Sequence, residues 1–342
     1  MVNLKVNEES VVEQEEQKLM VKVLNLLQQK SEKALEKAKK FILNEKIENK
    51  RAREALEYYV GNWNDTTHPG ILALACEAVG GSLEKAEPMQ IAMLYLAAAV
   101  DLHDDIIDQS KVKNGKPTVF GKYGRDITLL LGDIIMVKGF TFLYNYCKEI
   151  EPKRFEMIIC SLKTKLLDLG NAHLLEVDLK RKTKFNIDQY MQILEKKASS
   201  IEVNTEIGAI IGGGSLNEIE ALARYGRILG TLIGLREDFI DIFEPDELKN
   251  RMRNEILPLP LIYTFKNVET RNNILKILSK PKISKYDIEK ILEYVFQSKE
   301  VQNLKAYMQN LAKQALQIVS GVKNKVIAKD LSLLINASLE DL

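Results

Sequence analysis

Loop-forming residues are scarce in this chain. Eight prolines and 18 glycines are spread over 342 residues. That is little punctuation for a many-turned β fold, and it favours long helices. Cysteine is scarcer: Cys76, Cys147 and Cys160 are odd in number, widely spaced and without a Cys-x-x-Cys pair. Their spacing argues against a zinc site or a disulfide framework, and their apolar neighbours make all three read as core. Net charge is nearly absent, with 49 Lys plus Arg against 48 Asp plus Glu. No overall basic field exists to recruit nucleic acid. Long apolar runs are missing too. The longest, Ile91 to Val100, has ten residues, too short for a bilayer and long enough for a buried helix. The opening MVNLKVNEESVVEQEEQ is acidic and has no apolar h-region, so it does not read as a signal peptide. The expectation is a soluble cytoplasmic protein with reduced thiols and no transmembrane segment.

What the chain does contain is helical periodicity. Leu24, Leu27, Ala34, Leu35, Ala38, Phe41 and Ile42 recur at helical spacing, which predicts charged amphipathic helices over residues 1–50. Residues 51–342 read as one continuous all-α domain, since no Pro/Ser/Gly linker divides them and no β alternation appears. GNWNDTTHPG is a polar break, Gly80-Gly81 a helix stop, and Pro88 the opening of a helix that carries the apolar run into DLHDDIID. Asn114, Gly115 and Pro117 mark a loop. Further helices are expected over 126–148, 153–180, 187–211, 216–243, 261–279, 286–298, 300–320 and 322–337. Gly212-Gly213-Gly214 follows a helix and lacks P-loop spacing, so it reads as a terminator.

Two acidic clusters stand out, each after an unusually apolar helix. Asp101, Asp104, Asp105 and Asp108 fall at i, i+3, i+4 and i+7, which puts them on one helix face. Glu237, Asp238 and Asp241 follow ILGTLIGL in the same manner. Like charges this close repel, and partial burial adds to the cost. Such clusters need cations. Hard divalent ions prefer oxygen, and Mg²⁺ uses a carboxylate or two together with substrate phosphates and water. The residues thus point to a Mg²⁺-bridged diphosphate site over an apolar pocket. The rivals are two solvated helix faces, or a di-iron bundle, which needs Glu-x-x-His pairs that the three histidines do not supply.

Specific segments carry a family resemblance. HDDIIDQS (103–110) followed by GKPTVFGKYG (115–124) resembles the first aspartate-rich motif of the trans-isoprenyl diphosphate synthases, the polyprenyl synthetase family. LGDIIMVKGF (131–140), LEKKAS (194–199), YGRILGTLIGLREDFID (225–241) and LPLPLIYTF (257–265) resemble its later motifs in order. The resemblance implies an all-α isoprenoid-synthase bundle around a deep central cavity. It implies that Asp104, Asp105 and Asp108 bind Mg²⁺ from one wall, and Glu237, Asp238 and Asp241 from the other. About three Mg²⁺ ions, with Lys197, Lys113 and Arg251, would hold an allylic diphosphate and neutralise the leaving pyrophosphate. Isopentenyl diphosphate would then attack the carbocation in head-to-tail elongation. Ala99 and Val100 would leave room for a long product, and Tyr95, about 13 Å before Asp104 along the axis, would limit it. His103 would support the site by a hydrogen bond. A homodimer is implied.

The chain departs from the family pattern at the acceptor side. Aligned on Pro69, the basic positions for isopentenyl diphosphate are Asp65, Thr66 and His68, and a later His is Ala97. An Arg-Arg pair is Lys113-Asn114, a Phe-Gln pair is Ile233-Gly234, the first acid of the second motif is Glu237, and a lysine is Ile256, with Lys249, Arg251 and Arg253 nearby. The alternatives to elongation are a terpene-synthase-like lyase or cyclase, a prenyltransferase with another acceptor, and a subunit of a hetero-oligomeric synthase. Trp63, His68 and His173 read as packing residues.

Overall fold

The computed structural model describes residues 5–113, 115–183 and 186–340, with side chains from residue 19 onward except that of Cys147. The expected loop residue Asn114, the core assignment of Cys147 and the first residues of the N-terminal helical region lie outside the described residues. The chain is all-α apart from one short hairpin. It divides into two compact units, each assembled from separate stretches of chain. Four of their five boundaries fall inside helices, the exception being that after Gly321.

The first unit comprises Met1–Lys163, Val203–Ala223 and Val322–Leu333. Its elements begin with α1 (Lys5–Leu43), α2 (Lys50–Asn62), α3 (Thr67–Ala78) and α4 (Leu83–Ile107). The hairpin β1 (Val112–Lys113) and β2 (Lys116–Pro117) follows, then α5 (Val119–Tyr123) and α6 (Arg125–Cys147). α7 (Pro152–Leu179) begins in this unit. The Ser82 side chain accepts from the Lys85 amide, so α4 starts at Leu83 and Pro88 lies inside it. The capping residue, not the proline, sets the start. α4 is the central element, packed on α1, α3 and most extensively α6. Glycines permit that last contact. A Cβ on Gly132 would meet His103 Nε2 at 2.5 Å, and one on Gly139 would meet Tyr95 Cβ at 3.1 Å.

The second unit comprises Thr164–Glu202, Arg224–Gly321 and Leu334–Leu342. It holds the rest of α7, then α8 (Ile187–Lys197), the start of α9 (Ser199–Gly212) and most of α10 (Leu216–Phe243). After these come α11 (Pro245–Asn254), α12 (Leu259–Thr264), α13 (Val268–Leu278), α14 (Lys285–Gln297), α15 (Lys299–Ser320) and the end of α16 (Lys325–Ala337), whose start lies in the first unit. The helix expected over 187–211 is two. Its break is at Ala198, where a Cβ on Gly230 would meet the Ala198 Cα at 2.9 Å. The helix expected over 261–279 is also two, because the Asn267 side chain caps α13 through the Thr270 amide. Gly213 has φ +97° and closes α9, as the glycine run implies.

One cysteine assignment needs correction. Cys76 is buried, but Cys160 is exposed. Ile158 and Leu162 carry the buried face of α7, and the residue between them points away.

Candidate active site

In the first unit, the ten apolar residues of α4 feed into its acidic end. Asp101 is exposed, Asp104 half-buried, and Asp105 and Asp108 buried. Asp108 is the C-cap residue and Gln109 turns at φ 56°, which ends the helix. The next segment then comes back over the cluster. Thr118 ties it down by donating to the Ser110 carbonyl at 2.7 Å and accepting from the Gly121 amide at 2.9 Å. Gly121 is required there, since a Cβ would sit 2.1 Å from the Lys111 carbonyl oxygen. The hairpin places Lys113 Nζ 2.7 Å from Asp105 Oδ1 and 3.0 Å from Asp101 Oδ1. Burial pushes the Asp105 carboxyl up to about 6, against the pull of Lys113 and helped by Asp101 and Asp108. Lys113 is held charged, because those aspartates outweigh its burial. His103 reaches across to α6, 3.3 Å from the Leu129 carbonyl oxygen and 3.3 Å from Asp133 Oδ1, which is its expected supporting role.

In the second unit, the acidic end of α10 is enclosed differently. Asp238 is 2% exposed. Its Oδ1 accepts from Arg251 Nη2 at 2.7 Å and its Oδ2 from the Leu259 amide at 3.1 Å, while the Tyr190 hydroxyl lies within 2.8 Å of both. Arg251 Nη1 donates to Asp241 Oδ2 at 2.7 Å, and its Nε to the Ile256 carbonyl at 2.8 Å. Burial pushes the Asp241 carboxyl up to about 6 even so, the Arg251 charge opposing and Asp238 adding. Glu237 is exposed as a residue, with its carboxyl desolvated in part. That partial desolvation, with Asp238 beside it, raises its pKa over the pull of Arg251, Lys197 and Arg236.

Lys197 closes the last turn of α8 and pairs with Glu176 of α7 at 2.5 Å. The same α8 face buries Tyr190, Ile193 and Leu194, at i, i+3 and i+4 from one another, with Lys197 at i+7. Tyr190 and Glu176 are the functional-site residues that sequence reasoning missed. The α8 spacing could have found Tyr190; Glu176 has no signal beyond an acid in an apolar stretch.

The structure thus groups Asp101 and Asp105 with Lys113, Asp238 and Asp241 with Arg251, and Glu176 with Lys197. Among the described residues, no three acidic, histidine or cysteine side chains converge as a preformed metal cage. The chain-length residues divide. Tyr95 is fully buried and donates to the Ala38 carbonyl at 2.7 Å. Ala99 is fully buried in the same core cluster. At about 100° per residue, Tyr95 lies half a turn from Asp104 and Ala99 about 140° away. Neither faces the acidic side. Val100, about 40° from Asp104 and half-buried, does. Asp65 also has a local explanation. Its carboxylate accepts from the Thr67 and His68 amides and lies 2.9 Å from His68 Nδ1, so it caps the start of α3.

The geranylgeranyl diphosphate synthase of Methanosarcina mazei is 30% identical over 205 residues, 60% of this chain and 63% of that one. The chain therefore spans less than two thirds of that relative's length. A short chain isoprenyl diphosphate synthase of Methanothermobacter thermautotrophicus is 29% identical over 234 residues, 67% of this chain and 69% of that one. The crystal structure of a geranylgeranyl pyrophosphate synthetase from Pyrococcus horikoshii superposes with a TM-score of 0.81 at 20% identity, covering 94% of this chain and 99% of that one. That likeness establishes the fold. The polyprenyl synthetase family model matches residues 49–295, and the chain belongs to the polyprenyl synthetase family.

Proposed function

We propose that the protein ionises an allylic prenyl diphosphate and extends it head-to-tail with isopentenyl diphosphate. The observation that carries this reading is Asp105. It is a buried carboxylate that stays hard to ionise with an ammonium 2.7 Å away. Asp104 and Asp108 flank it on the same helix end, and like charges so close favour a bound cation. Hard carboxylate oxygens of this kind fit Mg²⁺, which shares its coordination with diphosphate oxygens. Asp104, Asp105 and Asp108 would hold the metal, with Glu237 in reach of solvent on the second cluster. Bound there, Mg²⁺ would neutralise charge developing on the leaving pyrophosphate.

The chain's own residues do the rest. Lys113, 44% exposed on its hairpin, is free to exchange the aspartates for a diphosphate oxygen. Lys197 is half-buried beside Glu176 and presents a second ammonium. The half-buried Val100 side of α4 would receive the prenyl chain and keep water from the cation. Isopentenyl diphosphate is the acceptor this reading selects, supported by relatives named as a geranylgeranyl diphosphate synthase and a short chain isoprenyl diphosphate synthase. No observation favours the lyase or cyclase.

A homodimer completes the proposal. α6 is the one described helix long and apolar enough to cross a membrane, and a third of it is buried. Leu131, Ile135 and Leu143 face the core, while Leu130, Ile134, Val137 and Tyr144 form an exposed stripe. A helix apolar on all sides needs cover on both, and a second copy of α6 would provide it, in the cytoplasm. A large subunit of a heterodimeric geranylgeranyl pyrophosphate synthase of Arabidopsis thaliana is 28% identical over 201 residues, so a non-identical partner is the second arrangement. The test is Mg²⁺-dependent pyrophosphate release from allylic diphosphates. Asp104→Ala should abolish it, and full retained activity would sink the metal assignment.

A further inference from the structure

We infer that Arg251 is the resident counter-ion of the second acidic cluster, and that Asp238 is a positioning residue for it and not a metal ligand. The inference rests on the activity proposed above and narrows which carboxylates serve it. Asp238 has no coordination to give. Its Oδ1 accepts from Arg251 and its Oδ2 from the Leu259 amide, with the Tyr190 hydroxyl against both. A metal ion would have to displace two charge-assisted hydrogen bonds and a backbone amide from a side chain that water barely reaches.

Arg251 is equally committed. Its Nε holds the Ile256 carbonyl, its Nη1 holds Asp241, and its Nη2 bridges Asp238 and the Tyr190 hydroxyl. Four fixed contacts from one planar fork suit an internal strut and not a side chain that travels to a ligand. The strut ties α10 to α8 and to the segment entering α12, so Arg251 is withdrawn from diphosphate binding as well. Lys113 offers the contrast. It holds Asp105 and Asp101 from an exposed hairpin through a single ammonium, which a metal-bound diphosphate can replace. Within the second cluster, the donors left for a metal are Glu237 and the second oxygen of Asp241.

The experiment counts Mn²⁺ bound by the intact protein in the presence of inorganic pyrophosphate, using the electron paramagnetic resonance signal of free Mn²⁺. Asp105→Asn should lose bound Mn²⁺. Asp238→Asn should keep the wild-type count while lowering the unfolding temperature. Tyr190→Phe, which removes one Asp238 partner without touching any carboxylate, should also keep the count and lower the unfolding temperature. If Asp238→Asn does not fold, its Glu variant, which retains the charge, is measured in its place and should keep the count. A folded Asp238 variant that loses Mn²⁺ would overturn this inference, and loss by Asp105→Asn as well would leave the proposed activity standing. No Mn²⁺ bound by any form, wild type included, would overturn both.

Discussion

The two acidic clusters use similar residues and solve opposite problems. At the end of α4, Asp105 is buried but its cation is a lysine on an exposed hairpin, and the pair can be opened. At the end of α10, Asp238 is met by an arginine, a tyrosine and a backbone amide, and the side chain is closed on itself. A lysine ammonium is a mobile point charge; an arginine fork holds two carboxylates in one geometry. On the proposed reading, one cluster accepts a ligand and the other holds helices in place. Acid-rich motifs that look alike in sequence can therefore differ in whether their charge is available.

That comparison can be broken at either end. The largest effect is expected at the first cluster. Asp105→Ala should lower the proposed turnover roughly a thousandfold, since metal-borne charge stabilisation is worth several kcal/mol at 1.36 kcal/mol per decade. Steady-state pyrophosphate release measures it, and a loss under tenfold would contradict the assignment. Next comes stability. Arg251→Met strands two carboxylates and should cost about 3–5 kcal/mol in urea unfolding. Lys113→Met should cost less, because its side chain is 44% exposed on the hairpin and pairs with Asp101, which is exposed too. Equal costs would erase the distinction between strut and gate.

A smaller effect lies in pH. Asp105 and Asp241 both have folded pKa values raised to about 6 from an ordinary carboxylate value of 3.8. Their protonated forms favour the fold. That contribution is complete below the unfolded value and is lost as pH rises through about 6. Metal-free protein should melt at a higher temperature at pH 5 than at pH 7, and an Asp105→Asn, Asp241→Asn double variant should flatten the difference. The smallest change separates pocket from core. Val100→Phe should shorten the preferred product, read by mass spectrometry, at little cost in stability. Ala99→Phe should instead overpack the core by about 1–3 kcal/mol.

Much of the architecture is legible in the sequence because helical periodicity is local. The spans of α6, α7, α10, α14 and α15 follow from apolar spacing, and Gly213 marks a stop. Where the reading differs, a single contact decides. Ser82 moves the start of α4 ahead of Pro88, and Ala198 against Gly230 splits one helix into two. The acidic clusters are legible for the same local reason, since i, i+3 and i+4 place them on one face. Their partners are not. Lys113 reaches Asp105 only because a hairpin folds back, and Arg251 reaches Asp238 across 13 residues and a change of helix.

The most direct measurement is a product assay. Purified protein with Mg²⁺ would be given ten-, fifteen- and twenty-carbon allylic diphosphates, each with and without isopentenyl diphosphate. Longer prenyl diphosphates appearing only when isopentenyl diphosphate is present is the result expected here. Hydrocarbon or alcohol formed in its absence, with no elongated diphosphate in its presence, would contradict the account.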